Sequence, residues 1–231
     1  MAIETSPAHL AYTTDGAAPR PVAAGAAGLA CLVAVVVGLT LAHVHHVVST
    51  AGIAASPAAL REGRLWLLVT SGLLVQPPIA LSLLSFAALG CLTLVVCGPR
   101  ALWMAAVLGH VLSTVAVYAG LSVLRLAEPG IAQSVQSTPD YGVSAIAAAW
   151  LGAVALVAWR RQGSSLRGKV LVVLGCVGIA LFAWWSKGHL NILDSEHAVA
   201  FAIGVLAARS RWGVTPVSGR ELSAAIPPHS A

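Results

Sequence analysis

The sequence predicts an all-α membrane protein of six transmembrane helices, and three observations carry that prediction. Hydrophobic residues make up 58% of the 231 residues and charged residues only 9%, roughly a third of the charge of an ordinary soluble domain. The apolar residues fall into runs at about 22–43, 79–97, 101–124, 141–159, 170–186 and 190–208, and a hydrocarbon core of about 30 Å requires roughly 20 such residues per helix. The charges collect between the runs, where the chain would leave the lipid.

Residues 1–21 carry Glu4, Asp15 and several prolines and lack the charged-then-apolar order of an export signal, so they read as a flexible cytoplasmic N-terminus. Residues 22–210 form one membrane domain. After the first span, the segment Leu65 to Val75 is apolar but too short to cross, and it lies between Arg61, Glu62 and Arg64 on one side and Pro77-Pro78 on the other. It predicts a partly membrane-embedded first outer loop. Spans two to five follow with short connections. The sixth is anomalous: its uninterrupted run, Ala198 to Ala208, crosses only if Asp194, Glu196 and His197 enter the membrane with it. Residues 211–231, rich in Pro and Ser, read as a flexible cytoplasmic tail.

With the N-terminus inside, nine basic residues (Arg20, Arg100, Arg160, Arg161, Arg167, Lys169, Arg209, Arg211 and Arg220) fall on inner segments and four (Arg61, Arg64, Arg125 and Lys187) on outer ones. That bias places the chain in a cell membrane with both termini cytoplasmic. The aromatics agree, with Trp103, Trp159 and Trp212 at inner helix ends and Tyr118, Tyr141, Trp184 and Trp185 at outer ones. The net charge of +5 is explained by this topology, and no nucleic-acid partner is expected. The four cysteines (Cys31, Cys91, Cys97 and Cys176) lie inside apolar runs without a CxxC pair, which argues against a disulfide or zinc framework. No cofactor is expected.

Spans four and six descend from the outer side, so their starts share one depth. They read Asp140-Tyr141-Gly142-Val143-Ser144-Ala145 and Asp194-Ser195-Glu196-His197. Read singly, Ser144 is a packing or helix-start residue; paired with His197 it becomes a candidate nucleophile beside a candidate general base. An ionisable residue drawn into the membrane faces the protein interior or a wet cavity, which makes His197 a functional candidate. Ser144, Ala148 and Gly152 recur every four residues along one helix, and His197, Ala200 and Gly204 form a matching stripe on the other. Small residues let membrane helices approach closely. Asp140 reads as a cap for the fourth span or as an orienter of the imidazole, and Asp194 and Glu196 read in the same way for the sixth.

Gly142-Val143-Ser144-Ala145 with Gly152 eight residues after the serine, then His197 with Gly204 seven residues on, resembles the rhomboid intramembrane serine proteases. Arg64-Leu65-Trp66 followed by Thr70-Ser71 is similar to the pattern of their first outer loop, and the resemblance covers roughly residues 22–210. It implies a six-helix rhomboid-like bundle, Ser144 as nucleophile, His197 as base, and a transmembrane protein as substrate or client within the lipid bilayer. The chain departs from that pattern where the family carries a His and an Asn on its second helix to stabilise the oxyanion: here the stretch reads Pro77-Pro78-Ile79-Ala80-Leu81-Ser82. Ser82, Gly142 and the Ser144 backbone amide stand as substitutes. The second glycine of the serine motif is Ala145, and Ala148 replaces the tyrosine expected against the histidine.

Three readings of function follow. The first is an intramembrane serine endopeptidase using the Ser144–His197 dyad. The second is a catalytically inactive rhomboid-like protein that binds transmembrane helices. The third is a transporter or metal-handling membrane protein using His43 and His46, which with His45 cluster at the outer end of span one. His110, deep in span three, must find a polar partner of its own.

Overall fold

The computed structural model describes residues 20–130, 136–187 and 194–209. Of the expected flexible segments at 1–21 and 211–231, residues 1–19 and 211–231, and with them Arg211, Trp212 and Arg220, lie outside the described residues, while Arg20 and Pro21 belong to the first helix. Among the described residues the chain is helical, with no β-strand. Helix α1 spans Arg20–Val44; the first loop holds three short helices, α2 (Thr50–Ile53), α3 (Pro57–Arg61) and α4 (Leu67–Thr70), and a 3-10 turn over Ser71–Leu73; then follow α5 (Ile79–Cys97), α6 (Pro99–Ala127), α7 (Ser144–Arg161), α8 (Leu166–Lys187) and α9 (Ser195–Arg209).

Among the described residues three helices, Pro21–Val44, Ile79–Cys97 and Pro99–Ala127, are long and apolar enough to cross a membrane. They are the mark of a membrane protein. Side-chain distribution supports the same conclusion, because large apolar residues such as Leu84, Val107, Leu112, Val123 and Leu171 point outward, while Thr40, Ser71, Thr93, His110, Ser113, Thr114 and Glu196 are buried. A water-soluble fold sorts these types in the opposite direction. Helix α7 ends on Arg160 and Arg161, and α9, with 15 residues, is about 22 Å long.

Helix α7 is the centre of the bundle. It packs against α9, α6 and α5, whereas α8 lies to one side and touches chiefly α7. Alanines (Ala101, Ala105, Ala149, Ala153, Ala200 and Ala208 among them) are the commonest residues of the interior, and Trp150 and Phe86 are its largest fully buried side chains. The Trp150 ring stacks on Phe86 with centroids 4.8 Å apart, and its indole N–H donates to the Leu102 carbonyl at 2.9 Å. That bond satisfies the one polar atom the indole brings into the core.

The tightest approach is between α7 and α9. A Cβ at Gly152 would collide with the Phe201 carbonyl, and a Cβ at Gly204 with the Ala149 carbonyl. Only glycine permits these backbones to lie so close. The first loop also folds inward: Leu67, Ser71, Gly72 and Leu74 are buried, while Leu65, Trp66 and Val69 stay exposed. Thr70 Oγ1 donates to the Ile53 carbonyl at 3.0 Å and the Val75 amide to Thr40 Oγ1 at 3.3 Å, so side chains supply partners where regular backbone pairing stops.

Gly204→Val and Gly152→Val should each cost about 1–3 kcal/mol or more through overpacking, read as a lowered thermal midpoint in detergent. Gly120→Ala, where a Cβ meets nothing within 4 Å, should leave the midpoint nearly unchanged. Equal midpoints for all three variants would remove the close α7–α9 packing.

Candidate active site

The first loop holds the segment that delivers the serine. Asp140 exchanges backbone hydrogen bonds with Ala55, at 2.8 and 2.9 Å; the Gly142 amide donates to the Ser71 carbonyl at 2.8 Å and the Val143 amide to the Leu74 carbonyl at 3.0 Å. Gly142 takes φ +143, outside the helical region, so the helix cannot begin at Tyr141, where the apolar run suggested. It begins at Ser144, with Val143 as N-cap and no side-chain cap. The expectation that Asp140 caps this helix is therefore corrected: its Oδ2 accepts from the Tyr118 hydroxyl at 3.2 Å. Tyr118, expected at the headgroup layer, is buried and spends its hydroxyl on this contact.

Ser144 and His197 are brought together. The serine hydroxyl donates to His197 Nε2 at 2.8 Å. On the other side of the ring, Nδ1 donates to the Asp194 backbone carbonyl at 3.3 Å and lies 3.8 Å from Asp194 Oδ1. A proton held on Nδ1 leaves the Nε2 lone pair facing the serine, which is the tautomer a general base requires. Ser144 is exposed and His197 half-buried, so a reacting group can reach the pair. Asp194, not Asp140, is the carboxylate beside the imidazole.

Beside the nucleophile is a small hollow. Gly142 has φ +143, a left-handed conformation that favours glycine. A Cβ there would stand 3.4 Å from Ser144 Oγ and 3.9 Å from both the Ser144 backbone nitrogen and Gln76 Nε2. The Ser144 amide opens α7, where backbone N–H groups have no partner within the helix. Ser82 does not face this hollow: its hydroxyl donates to the Gln76 carbonyl at 3.2 Å. Its role as a direct oxyanion donor, expected from the sequence, is thus replaced by one of holding the turn that carries Gln76. The Gln76 side-chain amide donates to the Tyr141 carbonyl at 2.8 Å.

Behind the dyad is a buried polar cluster that sequence reasoning found only in part. Glu196 was read as a helix-start carboxylate; it points instead into the bundle, where Thr114 Oγ1 and Ser113 Oγ donate to Oε1 at 2.6 and 3.1 Å. His110 Nε2 lies 3.2 Å from Ser71 Oγ, and its Nδ1 faces Glu196 Oε1 at 3.8 Å. The partner demanded by a deep histidine on α6 is therefore shared between the first loop and α9. Ser71, Ser113 and Thr114 carry no signal of a site in the sequence, because small hydroxyls inside an apolar run are indistinguishable from packing residues until a charged neighbour is known.

The span-one histidines do not form a metal site among the described residues, where no group of three or more His, Cys, Asp or Glu converges. His43 Nδ1 lies 3.1 Å from the Val48 carbonyl, and its ring meets Tyr141 edge-on at 6.3 Å. His46 turns the chain with φ 58. Between α5, α7 and α8 is an apolar cleft of about 610 Å³, lined by Ser85, Leu89, Leu92, Leu151, Gly175 and Gly178.

Glu196→Ala removes the carboxylate that accepts from Ser113 and Thr114 and faces His110, leaving the two hydroxyls only the His110 carbonyl, a loss expected to cost about 1–3 kcal/mol. Glu196→Gln, which keeps a carbonyl oxygen in place, should lose less. Thermal unfolding in detergent checks the order, and an alanine variant as stable as the glutamine variant contradicts it.

Comparison with protein-family models, with curated proteins and with solved structures finds no match for this chain.

Proposed function

We propose that this chain is a six-span, rhomboid-like intramembrane serine endopeptidase of the cell membrane, with both termini cytoplasmic, that cleaves transmembrane proteins near their outer boundary. The single observation that carries the reading is the 2.8 Å contact between Ser144 Oγ and His197 Nε2. Two further features support it. The nucleophile is exposed beside a hollow edged by a helix-start amide, and the apolar cleft between α5, α7 and α8 suits the approach of a substrate helix from lipid.

In the proposed reaction His197 Nε2 takes the Ser144 proton as Oγ bonds to the scissile carbonyl carbon, and the carbonyl π pair moves to oxygen. The Ser144 amide donates to that oxyanion, aided by the positive end of α7. Collapse of the tetrahedral intermediate breaks the C–N bond, and His197 gives its proton to the departing amine. Water then attacks the acyl-serine by the same route in reverse roles, freeing Ser144. The Asp194 carbonyl holds Nδ1 throughout, and the Asp194 carboxylate stabilises the imidazolium that forms at each step.

A non-cleaving protein that binds transmembrane helices is the second reading. It is favoured by the absence of a His and Asn on the second long helix, where Ala80, Leu81 and Ser82 stand.

Labelling of the full chain in detergent micelles by a fluorescent alkyl fluorophosphonate separates the two. The endopeptidase reading expects covalent labelling that disappears in Ser144→Ala and falls by about three orders of magnitude or more in His197→Ala. A wild-type chain that takes no label, or a label that persists in Ser144→Ala, leaves the binding reading in possession.

A further inference from the structure

The hollow at Gly142 has two donors at its edge, and only one of them is the helix-start amide. We infer that the side-chain amide of Gln76 is the second oxyanion donor of this site, a catalytic role that rests on the endopeptidase reading. The site's α5 carries no donor at its start, because Ile79, Ala80 and Leu81 are apolar and Ser82 is committed to the Gln76 carbonyl. The geometry instead brings a donor from the turn just before α5. One point, the place a Cβ would take on Gly142, lies 3.4 Å from the attacking oxygen and 3.9 Å from each of the two nitrogens, Ser144 N and Gln76 Nε2. An oxyanion needs donors at about 2.7–3.1 Å, so an oxygen held between the two nitrogens requires each to approach by about 1 Å from the 3.9 Å seen at that point.

Gln76 is also held for this role. Its backbone carbonyl is tied by Ser82, and its Nε2 is aimed at the serine segment by donating to the Tyr141 carbonyl at 2.8 Å. A primary amide has two N–H groups. One N–H holds Tyr141 in place, and the other is the donor for a negative oxygen in the hollow. Gln76 is exposed, as a residue that contacts substrate must be. When Oγ attacks and the carbonyl π pair moves to oxygen, the Ser144 and Gln76 N–H groups bond that oxygen together; when the C–N bond breaks, the pair returns and the bonds relax.

Gln76→Met keeps the length of the side chain and removes both N–H groups, and Gln76→Glu keeps the shape and replaces the donor by an acceptor. The test is the second-order rate of labelling by the fluorophosphonate, whose phosphoryl oxygen takes the oxyanion's place as Oγ bonds to phosphorus and fluoride leaves. Both variants should react about a hundredfold more slowly than the wild type. Gln76→Glu, which sets a carboxylate near the imidazole, should also move the rate profile toward higher pH. For Gln76→Met the thermal midpoint should fall only by what one exposed hydrogen bond to Tyr141 supports, and the shape of the rate against pH should not change, because His197 and its Asp194 contact are untouched. A mere loosening of the serine segment would alter that profile.

A Gln76→Met chain that labels within threefold of the wild type overturns the assignment. Should that variant unfold, Gln76→Glu decides on the same criterion. The two readings fail differently: a wild type that takes no label at Ser144 ends the endopeptidase proposal and this one with it, whereas a wild type and Gln76 variants that label equally fast end only this one.

Discussion

The arrangement depends on how closely α7 and α9 lie. Association between helices in lipid has no hydrophobic driving force, since the surrounding chains are as apolar as leucine, and it relies on packing and on polar contacts. Gly152 and Gly204 supply the packing by letting each helix rest on the other's carbonyls. Glu196 supplies the polar contact, reaching from the first turn of α9 to Ser113 and Thr114 on α6. With its middle held by the glycines and its start by Glu196, α9 has one rotation available. In that rotation the next residue, His197, faces Ser144.

The other half of the site is set by a loop. The carbonyls of the first loop hold the amides of Gly142 and Val143, and Ala55 clamps Asp140. These bonds go with a Gly142 held at φ +143, outside the helical range, so the serine opens the helix and does not sit inside it. The consequence is chemical as well as geometric, because the amide at a helix start is free to meet a developing anion. The loop is anchored in turn by Ser71 against His110. The polar core and the reacting pair therefore share supports, and a substitution at His110 is expected to be felt at the serine segment.

The amino-acid pattern reveals the long helices well and the loop chemistry poorly, for a physical reason. Helix Ile79–Cys97 begins after Pro78 and ends before Gly98, at the expected bounds, whereas Pro99–Ala127 overruns its apolar run at both ends. Ser144, His197, Gly152 and Gly204 were visible together because their spacing repeats with the helical period. The start of α7 lies three residues beyond the expected one, since the apolar run does not announce that Gly142 turns to φ +143, where it and Val143 bond to carbonyls some seventy residues away. Gln76 escaped notice for the same reason: a single glutamine before Pro77-Pro78 carries no periodic signal, and its position follows only from the tertiary path of the first loop. Glu196 looked like a helix-start carboxylate because its partners, Ser113 and Thr114, are silent in an apolar sequence.

The central claim is a physical contact between one hydroxyl and one imidazole nitrogen, and solid-state ¹⁵N NMR of histidine-labelled full-length chain in lipid bilayers reads it without relying on activity. The signal absent from a His197→Gln sample identifies the residue. The account predicts that this histidine is the Nδ1–H tautomer, with an Nε2 resonance displaced by an accepted hydrogen bond, and that the displacement vanishes in Ser144→Ala. An Nε2 resonance that is the same with and without the serine hydroxyl would contradict the account.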